Sequence, residues 1–143
     1  MAQCDSIHDA VVNALLKDGW TITADPLILR FGGIEGQIDL EAEKPPEAEN
    51  IERTVAFEIK TFSAKSDTHT FGHAMGQYLL YCDLVELTGN THKVYLVITE
   101  DVYRKFFQLP GIRAIVNKRH IALLVVRIQT EEFVSWIEPQ LQN

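Results

Sequence analysis

The chain has 143 residues, 46% hydrophobic and 23% charged, with a formal net charge of −7. That length suits one domain with a real core, and no apolar run approaches the roughly 18 residues of a membrane span. The acidity excludes a protein that coats nucleic acid by bulk electrostatics, because phosphate contacts need clustered Lys and Arg. The N-terminus lacks a basic segment followed by an apolar one, and Cys4 and Cys82 are too few for a disulfide framework. A cytoplasmic location is expected.

Residues 5–18 predict a helix: Asp5 or Ser6 can cap it, Ile7, Val11, Ala14 and Leu15 recur at helical spacing, and Gly19 stops it. Residues 20–23 alternate as a strand, Asp25-Pro26 turns, and 27–31 is a second strand ending at the hairpin signal Gly32-Gly33. A third strand over 36–43 follows. Residues 44–52, with two prolines and three acids, predict an exposed loop before a strand at 53–61. A long helix is expected over 68–87, with Phe71, Met75, Tyr78, Leu79, Cys82 and Val85 facing the core. Residues 93–99 are a continuous apolar run suited to a buried central strand. Glu100-Asp101 starts a helix that Pro110-Gly111 breaks, 112–118 is a second short helix, 121–128 a strand, and 132–137 a strand or short helix. Charge is uneven along this path. Residues 1–52 hold eleven acids and three bases, whereas 102–120 carry Arg104, Lys105, Arg113, Lys118 and Arg119 without an acid. That segment is either a phosphate-facing surface or a solvated helix face. The whole predicts an α/β fold, a mixed sheet with helices on both sides.

Within this frame one spacing carries chemistry. In a strand, residues i and i+2 point to one face, so Glu58 and Lys60 share a side while Val55, Phe57 and Ile59 share the other. An antiparallel partner would bring Asp39 alongside them. This is the spacing of the PD-(D/E)xK nuclease motif. Phosphodiester hydrolysis needs a hard cation, and Mg²⁺ or Mn²⁺ prefers oxygen ligands with waters retained. Asp39 and Glu58 supply two carboxylates, the backbone carbonyl of Ile59 is a candidate third ligand, and Lys60 would orient water and offset charge on the phosphate. By itself Glu-x-Lys is also a common solubility pair on exposed strands. On the long helix Gln77 and Tyr81 stand at i and i+4, an arrangement that resembles the Gln-x-x-x-Tyr element of nucleases related to RecB. A Gln amide can bind phosphate or orient water; an ordinary polar helix position and a core edge are the plainer readings. His8 and Asp9 lie on the first helix, where related nucleases often place a further acid. His69 and His73 have the i, i+4 spacing of helical zinc ligands but no evident third ligand.

The blocks Ile7-His8-Asp9-Ala10-Val11, Lys17-Asp18-Gly19-Trp20-Thr21-Ile22-Thr23, Asp39-Leu40, Glu58-Ile59-Lys60-Thr61-Phe62, Gly76-Gln77-Tyr78 and Glu100-Asp101-Val102-Tyr103 resemble the XisH family. Its members are small cyanobacterial proteins described as controlling factors for excision of the fdxN DNA element. The resemblance covers nearly the whole chain. It implies a restriction-endonuclease-like fold, a nuclease-like constellation of Asp39, Glu58, Lys60 and Gln77, a partner of the XisI type, and a link to a site-specific recombinase. DNA is a possible substrate, and a C2 homodimer is the commonest way to supply two sites for a duplex. The rival expectation is a non-catalytic module of the same fold that acts by binding its partner.

Overall fold

The protein is described here from a computed structural model, which describes residues 3–45, 53–62 and 68–138. The order is α1 (Gln3–Lys17), β1 (Thr21–Ala24), β2 (Leu27–Phe31), β3 (Ile34–Ile38), β4 (Leu40–Lys44), β5 (Arg53–Ile59), α2 (Thr68–Leu87), β6 (Lys93–Thr99), α3 (Glu100–Lys105), α4 (Pro110–Lys118), β7 (Leu123–Arg127) and β8 (Glu132–Ile137). Six strands form one sheet in the order β1-β4-β5-β6-β7-β8, and β2 and β3 form a separate hairpin. The pairs β5–β6 and β6–β7 are parallel and the remaining pairs are antiparallel. This is the expected mixed sheet flanked by helices.

Alternation along the strands sorts the core into two layers. Ala56, Leu96, Ile98, Leu123 and Val125 pack with α2, α4 and the β2–β3 hairpin. Leu40, Val55, Phe57, Tyr95, Val97, Leu124 and Val126 pack on the other face with Val11, Ala14 and Leu15 of α1. The central strands are thus covered on both faces, as parallel strands usually are. On β5 both faces are packed along its middle: Ala56 is as buried as Val55 and Phe57. On the α2 face the strand's hydrophobic packing ends at Ala56, and Glu58 follows, while Ile59 still packs on the α1 side.

The largest departure from the sequence reading lies at residues 36–43, expected as one strand. The chain bends at Asp39: β3 pairs with β2 in the hairpin, and β4 pairs with β1 and β5 in the main sheet. The reason is packing against α2. Gly36 lies so close to that helix that a Cβ there would stand 2.6 Å from Leu84 Cδ1 and 3.4 Å from Tyr81 Cε1. With Leu84 fully buried, a side chain at this position forces the hairpin off the helix. The hairpin therefore follows α2, and β4 follows the sheet.

The helix α2 has the predicted bounds, but its inward stripe is Phe71, Ala74, Met75, Tyr78, Tyr81, Leu84 and Val85. Leu79 is exposed and Cys82 half-buried, because the buried face is centred one position away from the expected line. Pro110 opens α4 at its first position rather than merely ending α3, where its missing N–H is not needed. The last element is a strand. The expected loop lies outside the described residues beyond residue 45, as does the 63–67 connection. Among the described residues no helix is long and apolar enough to cross a membrane.

Tyr78 ties α2 to the sheet. Its buried hydroxyl donates to the Val94 carbonyl at 2.8 Å and accepts from the Ala122 amide at 3.1 Å. Burial pushes its ionisation well above the usual phenol range. Tyr78→Phe leaves both backbone groups without their partner, and the expected cost is about 1–3 kcal/mol. Urea unfolding of the two proteins measures it, and equal midpoints would show that the hydroxyl contributes nothing.

Candidate active site

The site forms where β4 begins and β5 ends. Leu40 pairs with Phe57, so one step further the antiparallel register sets Asp39 opposite Glu58. Here the ladder is continued by side chains. The Ile59 amide donates to Asp39 Oδ2 at 2.8 Å, and the Asp39 amide faces Glu58 Oε1 at 3.4 Å. Each residue's carboxylate thus meets the other strand's backbone. The parallel pairing of β5 with β6 continues one residue past Ile59, where the Lys60 amide donates to the Val97 carbonyl at 3.0 Å. Lys60 therefore keeps strand geometry and projects on the side of Glu58, as its spacing predicts.

Lys60 Nζ donates to Gln77 Oε1 on α2. That bond fixes a long flexible side chain beside the carboxylates and leaves the ammonium two further donors. Tyr81, one turn along α2, is buried beside Gly36. Its phenol is pushed up by burial and by the charges of Glu58 and Asp39, which places it at the edge of the same group. Asp39, Glu58, Lys60 and Gln77 thus come together in the structure, with Tyr81 adjoining.

The first helix contributes differently. His8 Nε2 lies 2.9 Å from Asp25 Oδ1, and its Nδ1 lies 3.6 Å from Asp9. Burial lowers its pKa, but the bond and charge of Asp25, the contact with Asp9 and the charge of Asp39 outweigh it and raise the net value. With both ring nitrogens facing carboxylates, the protonated form of His8 is favoured, and neither nitrogen is turned toward the Asp39–Glu58 pair. Asp9 is highly exposed and reaches His8, not the carboxylate pair. Asp25 was read from sequence only as part of a turn; the 17-residue separation from His8 carries no local signal.

His69 and His73 are exposed on α2, and among the described residues no three His, Cys, Asp or Glu side chains group as metal ligands. The zinc reading of that pair therefore finds no third ligand. Glu41, the next residue on the face of Asp39 along β4, is engaged elsewhere: it accepts from Thr23 Oγ1 at 2.7 Å and pairs with His92. The candidate centre thus rests on two carboxylates.

Those two carboxylates are in conflict. Glu58 is 7% exposed, and its pKa is raised from 4.5 to about 8, first by burial and then by the charge of Asp39 and the bond between the two side chains. The nearby charge of Lys60 offsets this only in part. A buried and a half-buried carboxylate set side by side, hard oxygen donors whose like charges oppose each other, fit a divalent cation of the Mg²⁺ or Mn²⁺ type. With no third acidic side chain grouped there among the described residues, the backbone carbonyl of Ile59 and water would complete the coordination, as Mg²⁺ commonly allows.

The XisH protein family model matches residues 1–134. The chain belongs to the XisH family. Two solved structures of XisH type are similar to it. An fdxN element excision controlling factor protein from Anabaena variabilis is 30% identical, with a TM-score of 0.82 over 93% of this chain and 98% of its own. An XisH family protein from Nostoc punctiforme PCC 73102 is also 30% identical, with a TM-score of 0.82 over 93% of this chain and 99% of its own. No curated protein matches the sequence. The family resemblance read from the sequence blocks is therefore correct, and so is the mixed α/β fold.

Glu58 makes stability depend on pH with a definite sign. Between pH 4.5 and about 8 the folded protein holds a proton that the unfolded chain releases. The stability from this group is complete below 4.5 and is lost as pH rises through about 8. Urea midpoints of the metal-free protein should fall across that window, and Glu58→Gln should flatten the fall. A wild-type slope no steeper than the variant's would show that Glu58 ionises normally.

Proposed function

We propose that this XisH protein serves as a controlling factor for excision of a DNA element, and that Asp39, Glu58, Lys60 and Gln77 form a metal-dependent phosphodiesterase site of the PD-(D/E)xK kind. The observation that carries the reading is the convergence of the two carboxylates with a Gln77-anchored lysine at one strand end. Controlling excision is what the similar Anabaena variabilis protein is described as doing. A cytoplasmic location accords with such work on DNA.

Each residue has a part that its surroundings support. Asp39 and Glu58, with the Ile59 carbonyl between Glu58 and Lys60, would hold Mg²⁺ or Mn²⁺. Bound there, the cation would supply Lewis-acid stabilisation of a phosphoryl oxygen and lower the pKa of water. Lys60 presents its remaining donors to the non-bridging phosphate oxygens and offsets the charge that develops there. Gln77 fixes Lys60 by accepting one of its protons. His8, held by Asp25, adds a positive charge when protonated at the margin toward which a polyanion would approach. Tyr81, beside the carboxylates, closes the α2 side of the site.

A second reading has its own support. The net charge of −7 opposes nucleic acid at long range, and the β2–β3 hairpin exposes Ile28, Phe31 and Ile34. Such a surface suits a protein partner, and in this reading the fold works through a XisI-type protein and a recombinase, the residues of the site being kept without turnover. A homodimer would use the same kind of surface.

Cleavage of supercoiled and branched DNA with Mg²⁺ or Mn²⁺, with and without a XisI-type partner, separates the two. Lys60→Ala should lower the rate by about 10²-fold or more, the usual cost of losing one donor to a developing charge. No cleavage by the wild type, with partner binding intact in both proteins, would favour the interaction module.

A further inference from the structure

The parallel strands β5, β6 and β7 end on the same edge of the sheet, and their last residues on the α2 face form a row. Glu58 and Lys60 continue the alternation of Ala56, Glu100 that of Leu96 and Ile98, and Arg127 that of Leu123 and Val125. Thr99 is extended, with φ −77° and ψ 157°, so Glu100 keeps this alternation although it opens α3. Thr99 pairs with Val126, which sets Glu100 beside Arg127. The contact is bidentate: Arg127 Nε donates to Glu100 Oε1 at 3.0 Å and its second terminal nitrogen, Nη2, donates to Oε2 at 2.9 Å.

Three features of this pair suggest exchange. It sits two strands from Lys60, about 10 Å across the sheet at the usual strand spacing, or about three 3.4 Å steps of one nucleic-acid strand. It is solvent-accessible, with the arginine side chain 42% and the glutamate 27% exposed, so a ligand from solution can reach the guanidinium. A guanidinium fork that fits a carboxylate fits a phosphate in the same bidentate way. The neighbouring cations of α3, Arg104 and Lys105, are likewise taken up, both by Asp101. Glu132, opposite Arg127 on β8, adds a further negative charge on the far side. Arg104, Lys105 and Arg127 are therefore each neutralised by an acid of this chain, whose net charge is −7.

We propose that Arg127 binds a backbone phosphate of a nucleic-acid strand lying across the Asp39–Glu58–Lys60 site, and that Glu100 holds the guanidinium as a stand-in until that phosphate replaces it. The proposal rests on the nucleic-acid reading above and adds to it a substrate contact and a built-in competitor. Glu100 also suits the first turn of α3 by its charge, and an ion pair of purely structural purpose is the alternative that the test must separate.

The test is binding rather than turnover. Fluorescence anisotropy of labelled single-stranded and duplex oligonucleotides, in EDTA and over a range of salt concentrations, is measured for the full chain, Glu100→Gln, Arg127→Ala and Arg127→Lys. Glu100→Gln should bind several-fold more tightly than wild type, because the competitor is gone. Arg127→Ala should bind several-fold more weakly, with a salt slope shallower by about 0.9 on duplex or about 0.7 on single strands. Arg127→Lys should restore the slope but only part of the affinity. Thermal melts monitored by circular dichroism confirm that the variants are folded. Glu100→Gln and Arg127→Ala both binding as wild type, or both weakening, would overturn the proposal and leave the metal site standing. Tightening by Glu100→Gln toward polyglutamate as large as toward the oligonucleotides would overturn it too, assigning Arg127 to an acidic protein surface. No binding by any of the four proteins would overturn this proposal together with the nucleic-acid reading.

Discussion

The reciprocal contact between Asp39 and Glu58 is the constraint around which the molecule is arranged. Two strands that would ordinarily exchange backbone hydrogen bonds instead set each carboxylate toward the other's amide. The chain can leave the ladder at this point without stranding its buried N–H groups, because side-chain oxygens face them. That freedom lets β3 depart for the hairpin while β4 stays in the sheet. The same contact sets the buried Glu58 carboxyl against the half-buried Asp39 and raises the Glu58 pKa to about 8. Structural economy and chemical tension have one source.

Everything near this point serves to hold it. The parallel pairing of β5 and β6 carries Lys60 past the end of the strand, α2 offers Gln77 to receive it, and Gly36 lets the hairpin close against Tyr81 and Leu84. The helix is anchored in turn by Tyr78, whose hydroxyl joins Val94 and Ala122 at the other end of the parallel strands. The site thus lies outside the carboxyl ends of parallel strands, where backbone direction changes and side chains from several elements meet. On the opposite face Trp20, Phe57, Tyr95 and Trp136 form a continuous aromatic cluster beneath α1. That side packs around aromatic rings, and the α2 side carries the candidate site.

What could be read from the sequence followed from local periodicity. Glu58 and Lys60 share a face because strands repeat every two residues, and the bounds of α2 follow from its caps and apolar spacing. Gln77 and Tyr81 fell on the same side for the same reason. What escaped depends on contacts between distant segments. Nothing in Gly36-Gln37-Ile38-Asp39-Leu40 announces a change of sheet, because the bend is set by α2 some 45 residues later. The hold of Asp25 on His8 and of Glu100 on Arg127 joins residues 17 and 27 positions apart, and neither pair forms a motif. The burial of Ala56 was hidden too, since a small residue in an alternating strand gives no sign of which helix will cover it.

The central claim is that Asp39 and Glu58 together receive a divalent cation, and calorimetric titration of Mn²⁺ at pH 7 tests it most directly. Run in two buffers of different ionisation enthalpy, it reports both affinity and proton exchange. The account predicts one saturable site and release of about one proton per metal, since Glu58 must ionise to bind. It predicts no such site in Glu58→Gln. Saturable binding of equal strength in both proteins, or none in the wild type, would contradict it.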